Sequence, residues 1–239
     1  MSGELKDGET AVETAARDIA GLPPAPTVFQ IEVGLLQNFC ESLYCPTTRA
    51  AAVVDPAWEV DTLLREAKKL DVRIETVLVT HTHNDHIEGV AELCAATGAK
   101  VVVGPREAAA IQRVAPATGT PIDAVDRRDI AIGNCGVRVL ETTGHTVAGV
   151  CFLGDGFVVT GDVMFVGGCG RTDFTGGNTA ALWRSLQRLS ALPEETRVFP
   201  GHNYGQTATS TIAHELRTNP YLLCKTYEEF RALRERPRR

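Results

Sequence analysis

The stretch from Thr80 to His86 concentrates side chains that can bind a metal ion. Three of the chain's six histidines and one aspartate lie there, as His81, His83, Asp85 and His86. Imidazole nitrogens and carboxylate oxygens are ligands that divalent transition metals take in proteins. Side chains two residues apart in an extended segment point the same way, so His81 and His83 can reach one ion. Asp85 and His86 can then turn toward a second ion.

Completing two coordination shells requires ligands from distant parts of the chain. Three candidates share one pattern, a predicted strand followed by a glycine and then the ligand: His145, Asp162 and His202. Glycine allows a tight turn and a close approach of the backbone. One His-X-His motif alone is weak evidence, but seven ligands of consistent type and placement predict a metal site. The sixth histidine, His214, lies in a predicted helix and is expected at the surface.

Short β-strands alternate with amphipathic helices along the chain. In 60–70, for example, apolar residues recur at the i, i+3, i+4 spacing of a helix. The predicted strands are 27–33, 36–44, 50–54, 72–79, 100–103, 130–132, 137–142, 150–153, 157–160 and 196–199, and the predicted helices are 60–70, 87–97, 105–114, 178–189, 209–217 and 226–234. Both halves run from strands through helix to strand, with a ligand-type residue just after a strand. This order of elements favours two β-sheets packed face to face with helices outside.

Composition and charge exclude several classes of protein. The chain has 239 residues and a formal net charge of −6, without a long basic stripe, which argues against nucleic-acid binding. It lacks the ~18 consecutive apolar residues of a membrane span, and its first residues lack the features of a secretory signal. Its seven cysteines are dispersed, with no C-x-x-C pair. Free thiols and a cytoplasmic location are therefore expected.

The chain is predicted to hold one main domain. Residues 1–26 end in a proline-rich segment and are expected to be a partly mobile N-terminal extension, with room for a short helix near 10–19. Residues 27–239 are expected to form the domain, ending in a short helical tail. Neither a membrane nor a nucleic acid is expected as partner, and a homodimer is left open.

The ligand pattern resembles that of the metallo-β-lactamase superfamily. In that family His-X-His-X-Asp-His, a later His, a later Asp and a last His bind one or two metal ions between two sheets. The resemblance covers residues 27–222 and implies an α/β fold, the αββα sandwich of two β-sheets with helices outside. It assigns His81, His83 and His145 to one ion and Asp85, His86 and His202 to the other, with Asp162 as the bridge.

Two branches of this superfamily resemble the chain, the glyoxalase II-type thioester hydrolases and the persulfide dioxygenases. The segment 168–174, Gly-Cys-Gly-Arg-Thr-Asp-Phe, is similar to both. Secreted β-lactamases often carry cysteine in place of Asp162, and flavodiiron oxidoreductases usually carry glutamate in place of His83. Asn84 stands where the dioxygenases usually have alanine, which favours a hydrolase. The long C-terminal domain of full-length glyoxalase II has no counterpart in the 37 residues (203–239) after His202.

Two residues are predicted to bind substrate. The Arg171 guanidinium can hold a carboxylate of an acidic thiol conjugate. Tyr204, beside His202, can donate a phenolic hydrogen bond. Structural roles stand beside these, since 168–174 can be a turn that supports Asp162 and Tyr204 can pack in the core. Cys169 is expected to pack rather than to attack substrate, because no independent base is evident.

The resemblance implies a metal-dependent hydrolase that cleaves a thioester, such as a glutathione or other thiol conjugate, with a metal-bound hydroxide. Two divalent ions (Zn, Fe or Mn) would be held, and Asp85 would be the catalytic residue that orients the nucleophile.

Three alternatives remain. One is an Fe(II)-dependent persulfide dioxygenase acting on glutathione persulfide, with one Fe(II) on His81, His145 and Asp162. The second is a lactone or carrier-thioester hydrolase. The third is a non-catalytic binding domain, which Asp85→Ala would support by leaving every activity unchanged.

Overall fold

Two six-stranded β-sheets stack face to face in the computed structural model of the chain, which describes residues 10–236. The strands are β1 (Thr27–Val33), β2 (Asn38–Tyr44), β3 (Ala50–Val54), β4 (Arg73–Leu78), β5 (Lys100–Val103), β6 (Ile122–Asp123), β7 (Asp129–Ile132), β8 (Cys135–Glu141), β9 (Val150–Gly154), β10 (Phe157–Gly161), β11 (Met164–Phe165), β12 (Gly168–Cys169), β13 (Arg197–Pro200) and β14 (Ser210–Thr211). The helices are α1 (Ala11–Ile19), α2 (Val60–Lys69), α3 (Asn84–Ile87), α4 (Val90–Thr97), α5 (Ala108–Val114), α6 (Thr179–Ser190), α7 (Ile212–Thr218) and α8 (Tyr227–Arg234).

The first sheet has the strand order β1-β2-β3-β4-β5-β6. Strands β1 to β3 are antiparallel neighbours, and β3 to β6 run parallel. Helices α2, α4 and α5 connect the parallel strands and cover the outer face of the sheet. Their buried side chains, among them Leu63, Leu93 and Ile111, form one cluster with Val53, Val77 and Val101 of the strands.

The second sheet has the strand order β14-β13-β10-β9-β8-β7. Its outer face is covered by α1, α6, α7 and α8, whose buried side chains include Ala15, Leu186, Ile212 and Phe230. A third cluster lies between the sheets and includes Leu43, Leu78, Phe152 and Phe199. Burying side chains of this size stabilises the fold by about 1.5–3 kcal/mol each. The three apolar layers confirm the αββα architecture that the sequence predicts.

Three predicted helices begin or break elsewhere than the sequence suggested. The predicted helix 87–97 is divided into α3 and α4, because Gly89 packs so closely on the chain before α2 that its N–H donates to the Pro56 carbonyl, 3.0 Å away. The predicted helix 105–114 begins only at Ala108, since the Glu107 N–H closes a turn onto the Gly104 carbonyl. The predicted helix 209–217 begins at Ile212, because Ser210 and Thr211 pair with β13.

Residues 1–9 of the predicted extension lie outside the described residues. The short helix expected near 10–19 is present as α1, and Thr10 and Glu13 form a capping box at its start. Its Asp18 is fully buried and pairs with Arg188 of α6, at 2.7 Å. This segment therefore packs on the domain, and the boundary at residue 26 and the mobility of the extension stay predictions. Within 10–236 the structure contains no helix with the length and apolar character of a membrane span.

Candidate metal centre

The seven predicted ligands meet at one edge of the two sheets. His81 and His83 follow β4 of the first sheet, whereas His145, Asp162 and His202 follow β8, β10 and β13 of the second. Asp85 and His86 lie in the single turn of α3. The ends of strands from both sheets face this edge, so ligands that are far apart in sequence come together.

One ligand group consists of His81, His83 and His145, which we call the three-histidine group. The His83 Nδ1 atom lies 3.0 Å from His81 Nε2 and 2.9 Å from His145 Nε2. His81 and His145 are buried, at 3% and 4% exposure, and His83 is partly exposed. Three ring nitrogens thus converge on one point, as a tetrahedral metal site requires.

A second group consists of Asp85, His86 and His202, which we call the mixed group. The two imidazole Nε2 atoms lie 3.2 Å apart. The Asp85 Oδ2 atom lies 3.6 Å from His86 Nε2 and 3.4 Å from His202 Nε2. The Asp85 side chain is 24% exposed, so this group has one face open to solvent.

Asp162 lies between the two groups. Its Oδ1 atom is 3.4 Å from His86 Nε2 and 3.5 Å from His202 Nε2, and its Oδ2 atom is 3.5 Å from His145 Nε2. The Oδ1 atom is buried without a hydrogen-bond partner. Each oxygen therefore faces one group. A divalent ion bound at the mixed group would satisfy the buried Oδ1 atom, which has no hydrogen-bond donor. The residues present fit two divalent ions.

Hydrogen bonds behind the rings fix their orientation. His86 Nδ1 contacts Asp55 Oδ2 at 2.9 Å, and Asp55 is held by the Thr80 N–H at 2.7 Å. His145 Nδ1 contacts the Arg171 carbonyl at 2.8 Å. His202 Nδ1 contacts the Leu36 carbonyl at 2.9 Å. In each ring the other nitrogen is left to face the centre, the arrangement by which outer partners orient metal-binding histidines.

Burial and charge set the protonation of the centre. Burial, and next the neighbouring His86, lowers the pKa of His81 well below its usual range, and burial followed by His145 lowers that of His83. The lowered pKa favours the neutral form of these two rings, which is the form that binds a metal ion. Burial acts against ionisation of both His86 and Asp162, but their mutual attraction outweighs it. The pKa of His86 is raised well above its usual range and that of Asp162 is held well below.

An open cleft of about 940 Å³ lies over the centre, and both predicted substrate residues line it. The Arg171 guanidinium pairs with Asp173 at 2.7 Å and lies 4.2 Å from the ring of Phe174. The Tyr204 ring stacks on His202, with centroids 4.5 Å apart and planes 8° apart, and is 56% exposed rather than packed in the core.

Other functional candidates were not foreseen from the sequence. Tyr221 and Arg234, from the segment before α8 and from its last turn, also line the cleft. Asp55 had one local signal, its place directly after the buried strand β3, but nothing local pointed to the other two. Cys169 is buried at 5% exposure within the apolar cluster under the helices, in agreement with a packing role. His214 is exposed, as expected.

Comparison with known proteins gives one consistent family. A model of the metallo-β-lactamase superfamily matches residues 42–202. The probable polyketide biosynthesis zinc-dependent hydrolase PksB of Bacillus subtilis is 31% identical over 200 residues, which cover 83% of this chain and 88% of that protein. The hydroxyacylglutathione hydrolase of Methylococcus capsulatus is 36% identical over 209 residues, which cover 87% of this chain and 77% of that protein.

A solved structure agrees with these relatives. The crystal structure of ETHE1 from Myxococcus xanthus has a TM-score of 0.80 and 33% sequence identity, and the match covers 89% of this chain and 92% of that one. The family model spans more than half of the chain and includes every predicted ligand. With two stacked sheets, helices outside and seven converging predicted ligands, the chain belongs to the metallo-β-lactamase superfamily.

Proposed function

We propose that the chain is a metal-dependent hydrolase that cleaves thioesters of small thiols, with a glutathione conjugate as the first candidate. The observation that carries this proposal is Asp162, whose two oxygens face two ligand groups beneath an open cleft. The relative named hydroxyacylglutathione hydrolase, at 36% identity, supports the substrate class. All seven cysteines are free thiols, which supports a reducing cytoplasm as the site of the reaction.

Bound divalent ions supply a Lewis acid and lower the pKa of water from ~15.7 toward ~7. The protein's part is to place the groups around the reacting atoms. Asp85 is held from behind by the Asn38 amide, which donates to its carbonyl at 2.9 Å and to its Oδ2 at 3.3 Å. The carboxylate thereby stays at the cleft, where it can accept a hydrogen bond from the attacking water and orient it.

The thiol can leave without much assistance from the protein. A thiolate is a stable leaving group, so the site needs no strong general acid. Arg171 and Tyr204 are then left to hold the rest of the thiol conjugate along the cleft. A guanidinium donates to a carboxylate with two parallel hydrogen bonds, which suits an acidic carrier such as glutathione.

The test is hydrolysis of a hydroxyacylglutathione by metal-loaded protein without oxygen, followed by release of free thiol. We expect thiol release that stops on chelation and returns when Zn²⁺, Mn²⁺ or Fe²⁺ is added back. Failure of the loaded protein to cleave this and other soluble thioesters would overturn the proposal. Thioesters on a phosphopantetheine carrier and lactones belong in the same panel, since PksB is named for polyketide biosynthesis.

A persulfide dioxygenase is the second candidate. His81, His145 and Asp162 offer two imidazoles and one carboxylate, the set typical of non-haem Fe(II) oxygenases. The Asp162 Oδ2 atom lies 3.5 Å from His145 Nε2, so these two side chains can share one ion. Iron close to one equivalent per chain, with oxygen uptake on glutathione persulfide and no thioester cleavage, would favour this candidate over the hydrolase.

A further inference from the structure

The three-histidine group draws its ligands from both sheets. His81 and His83 lie in the loop after β4 of the first sheet, and His145 lies in the loop between β8 and β9 of the second. The geometry of this group therefore depends on what joins the two loops. One backbone hydrogen bond joins the first loop to the strand that follows the second, from the N–H of Val150, the first residue of β9, to the Thr80 carbonyl at 2.8 Å.

A carboxylate that is not a ligand joins the same two loops. The Oε2 atom of Glu107 accepts a hydrogen bond at 2.7 Å from the Thr82 N–H, which lies between the two histidines of the first loop. Its Oε1 atom accepts from the Thr146 hydroxyl and, at 3.3 Å, from the Ala148 N–H. Each oxygen thus binds one loop, on residues adjacent to or near the ligands.

The position of Glu107 is fixed by close packing. Its side chain is buried at 5% exposure, and its own N–H closes a turn onto the Gly104 carbonyl at 2.9 Å. A Cβ atom on Gly104 would overlap the carbonyl of Ala148, so the turn after β5 lies directly against the second loop. All three partners donate hydrogen bonds, so an ionised carboxylate satisfies them and is itself satisfied.

We propose that Glu107 is a positioning residue for the metal centre, which holds the two loops in the register at which His81, His83 and His145 converge on one ion. Hydrogen-bonded groups that orient metal ligands from behind typically change metal affinity by about 10- to 100-fold when removed. This inference concerns metal binding and would stand even if the substrate were not a thioester.

Glu107→Gln is the most informative variant, because glutamine has the same size as glutamate but one acceptor oxygen instead of two. The Thr82 and Ala148 N–H groups can only donate, and glutamine has one oxygen and one NH2 group. With its oxygen toward Thr146 and Ala148, glutamine leaves the Thr82 N–H without an acceptor and releases the first loop. With its oxygen toward Thr82, its NH2 can donate to the Thr146 hydroxyl, but the Ala148 N–H loses its acceptor and the second loop is held more weakly. Glu107→Ala releases both. A matched control is Glu215→Gln, since Glu215 is also fully buried and also accepts from three donors, on Gly167, Ser210 and Asn219.

The experiment measures Zn²⁺ affinity by competition with a coloured chelator, in a His202→Ala background that isolates the three-histidine group. We expect Glu107→Ala to weaken Zn²⁺ binding about 10- to 100-fold and Glu107→Gln to weaken it by a smaller factor. Glu215→Gln should leave the affinity unchanged, even where it lowers the melting temperature.

Unchanged Zn²⁺ affinity in Glu107→Gln would overturn the inference, and so would an equal loss in Glu215→Gln, which would indicate general loosening. If Glu107→Ala does not fold, Glu107→Gln with a parental circular dichroism spectrum decides the question. A chain that shows the expected affinities but cleaves no thioester would refute the proposed hydrolase and leave this inference intact.

Discussion

The two carboxylate oxygens of Asp162 face different groups of predicted ligands. One oxygen faces the three-histidine group and the other faces the mixed group, within 3.5 Å of imidazole nitrogens on both sides. An amide cannot do both, since its NH2 end is a donor with no lone pair to offer an ion. We therefore expect Asp162→Asn to bind about one divalent ion per chain where the parent binds about two.

Elemental analysis after dialysis against metal-free buffer measures this stoichiometry. The control is Asp155→Asn, which makes the same change on the exposed turn between β9 and β10 and should keep the parental metal content. Two tightly bound ions in Asp162→Asn would show that the carboxylate does not bridge.

The charged side chains that line the cleft indicate which charge on a substrate the cleft can bind. Apart from Asp85, Asp162 and the histidines, the charged side chains among its described lining residues are Arg171 and Arg234, in a chain of net charge −6. Arg234 Nη1 donates to the Tyr221 hydroxyl at 3.2 Å, and its Nε is buried without a partner. A charged hydrogen bond contributes about 1.5–3 kcal/mol. We expect Arg234→Gln to raise KM for glutathione thioesters about 10-fold, with kcat little changed.

Steady-state kinetics on two thioesters tests this role. A thioester of a neutral thiol should show the same KM in Arg234→Gln and in the parent. Arg231→Gln, on the same helix but exposed and paired with Glu235 at 3.0 Å, is the matched control. An equal rise of KM for the neutral thioester would contradict recognition of an anion.

Local pattern is what made the converging side chains predictable. His81, His83, Asp85 and His86 lie within six consecutive positions, and the distant candidates each follow a strand and a glycine. Glu107 has no such signal, because its partners lie 25 to 41 residues away and only the packing of two loops brings them together. Arg234 is similar, since nothing in a basic helical tail predicts that its last turn faces the cleft.

Elements were predictable where periodicity decides them, whereas the ends of several helices were not. Strand β5 has the predicted bounds, and α2 differs from its prediction by one residue. The division between α3 and α4 depends instead on the contact of Gly89 with the chain before α2. Helical spacing along 87–97 is compatible with one continuous helix, so only tertiary contact reveals the break.

One partner in the pairing of β1 with β2 is a buried acidic side chain, Glu41. Gln30 and Glu41 are partners in the register of these strands, and the Gln30 amide donates to the carboxyl at 3.2 Å. Glu41 is 1% exposed, and burial raises its pKa from 4.5 to about 8. The fold thus favours neutral Glu41. That stabilisation is complete below the unfolded pKa of 4.5 and is lost as the pH rises to about 8.

Glutamine at this position cannot ionise and can still accept from Gln30. We expect Glu41→Gln to match the parent in stability near pH 4.5 and to exceed it increasingly up to pH 8, by a few kcal/mol at about 1.4 kcal/mol per pKa unit. Urea unfolding across this pH range measures the difference. Glu75→Gln, a 53% exposed site on β4, is the control and should show no such trend. A gain for Glu41→Gln that is constant with pH would contradict a buried neutral carboxyl.

At the scale of the molecule, α1 extends the outer layer of the second sheet beyond the predicted domain. Arg138 of β8 donates to the carbonyls of Asp18 and Ala20, at 3.0 and 2.7 Å. Asp18 itself pairs with Arg188 of α6 and with Arg127, at 2.7 and 2.9 Å. Asp18 and Arg188 are 170 residues apart, so the sequence could predict a short helix here but not that it packs on the domain.

The buried pair of Asp18 and Arg188 allows a prediction of how much α1 contributes to the free energy of unfolding. Their side chains are 0% and 4% exposed, so removal of the carboxylate leaves a buried guanidinium that has lost one of its carboxylate partners and keeps its pair with Asp126. Breaking a buried ion pair costs about 3–5 kcal/mol, so Asp18→Ala should lower the free energy of unfolding by that amount. Lys69→Ala, which removes a pair whose lysine is 62% exposed, should change it by less than about 1 kcal/mol. Urea unfolding at pH 7 compares the two, and equal small losses would mean that α1 adds little to the stability of the domain.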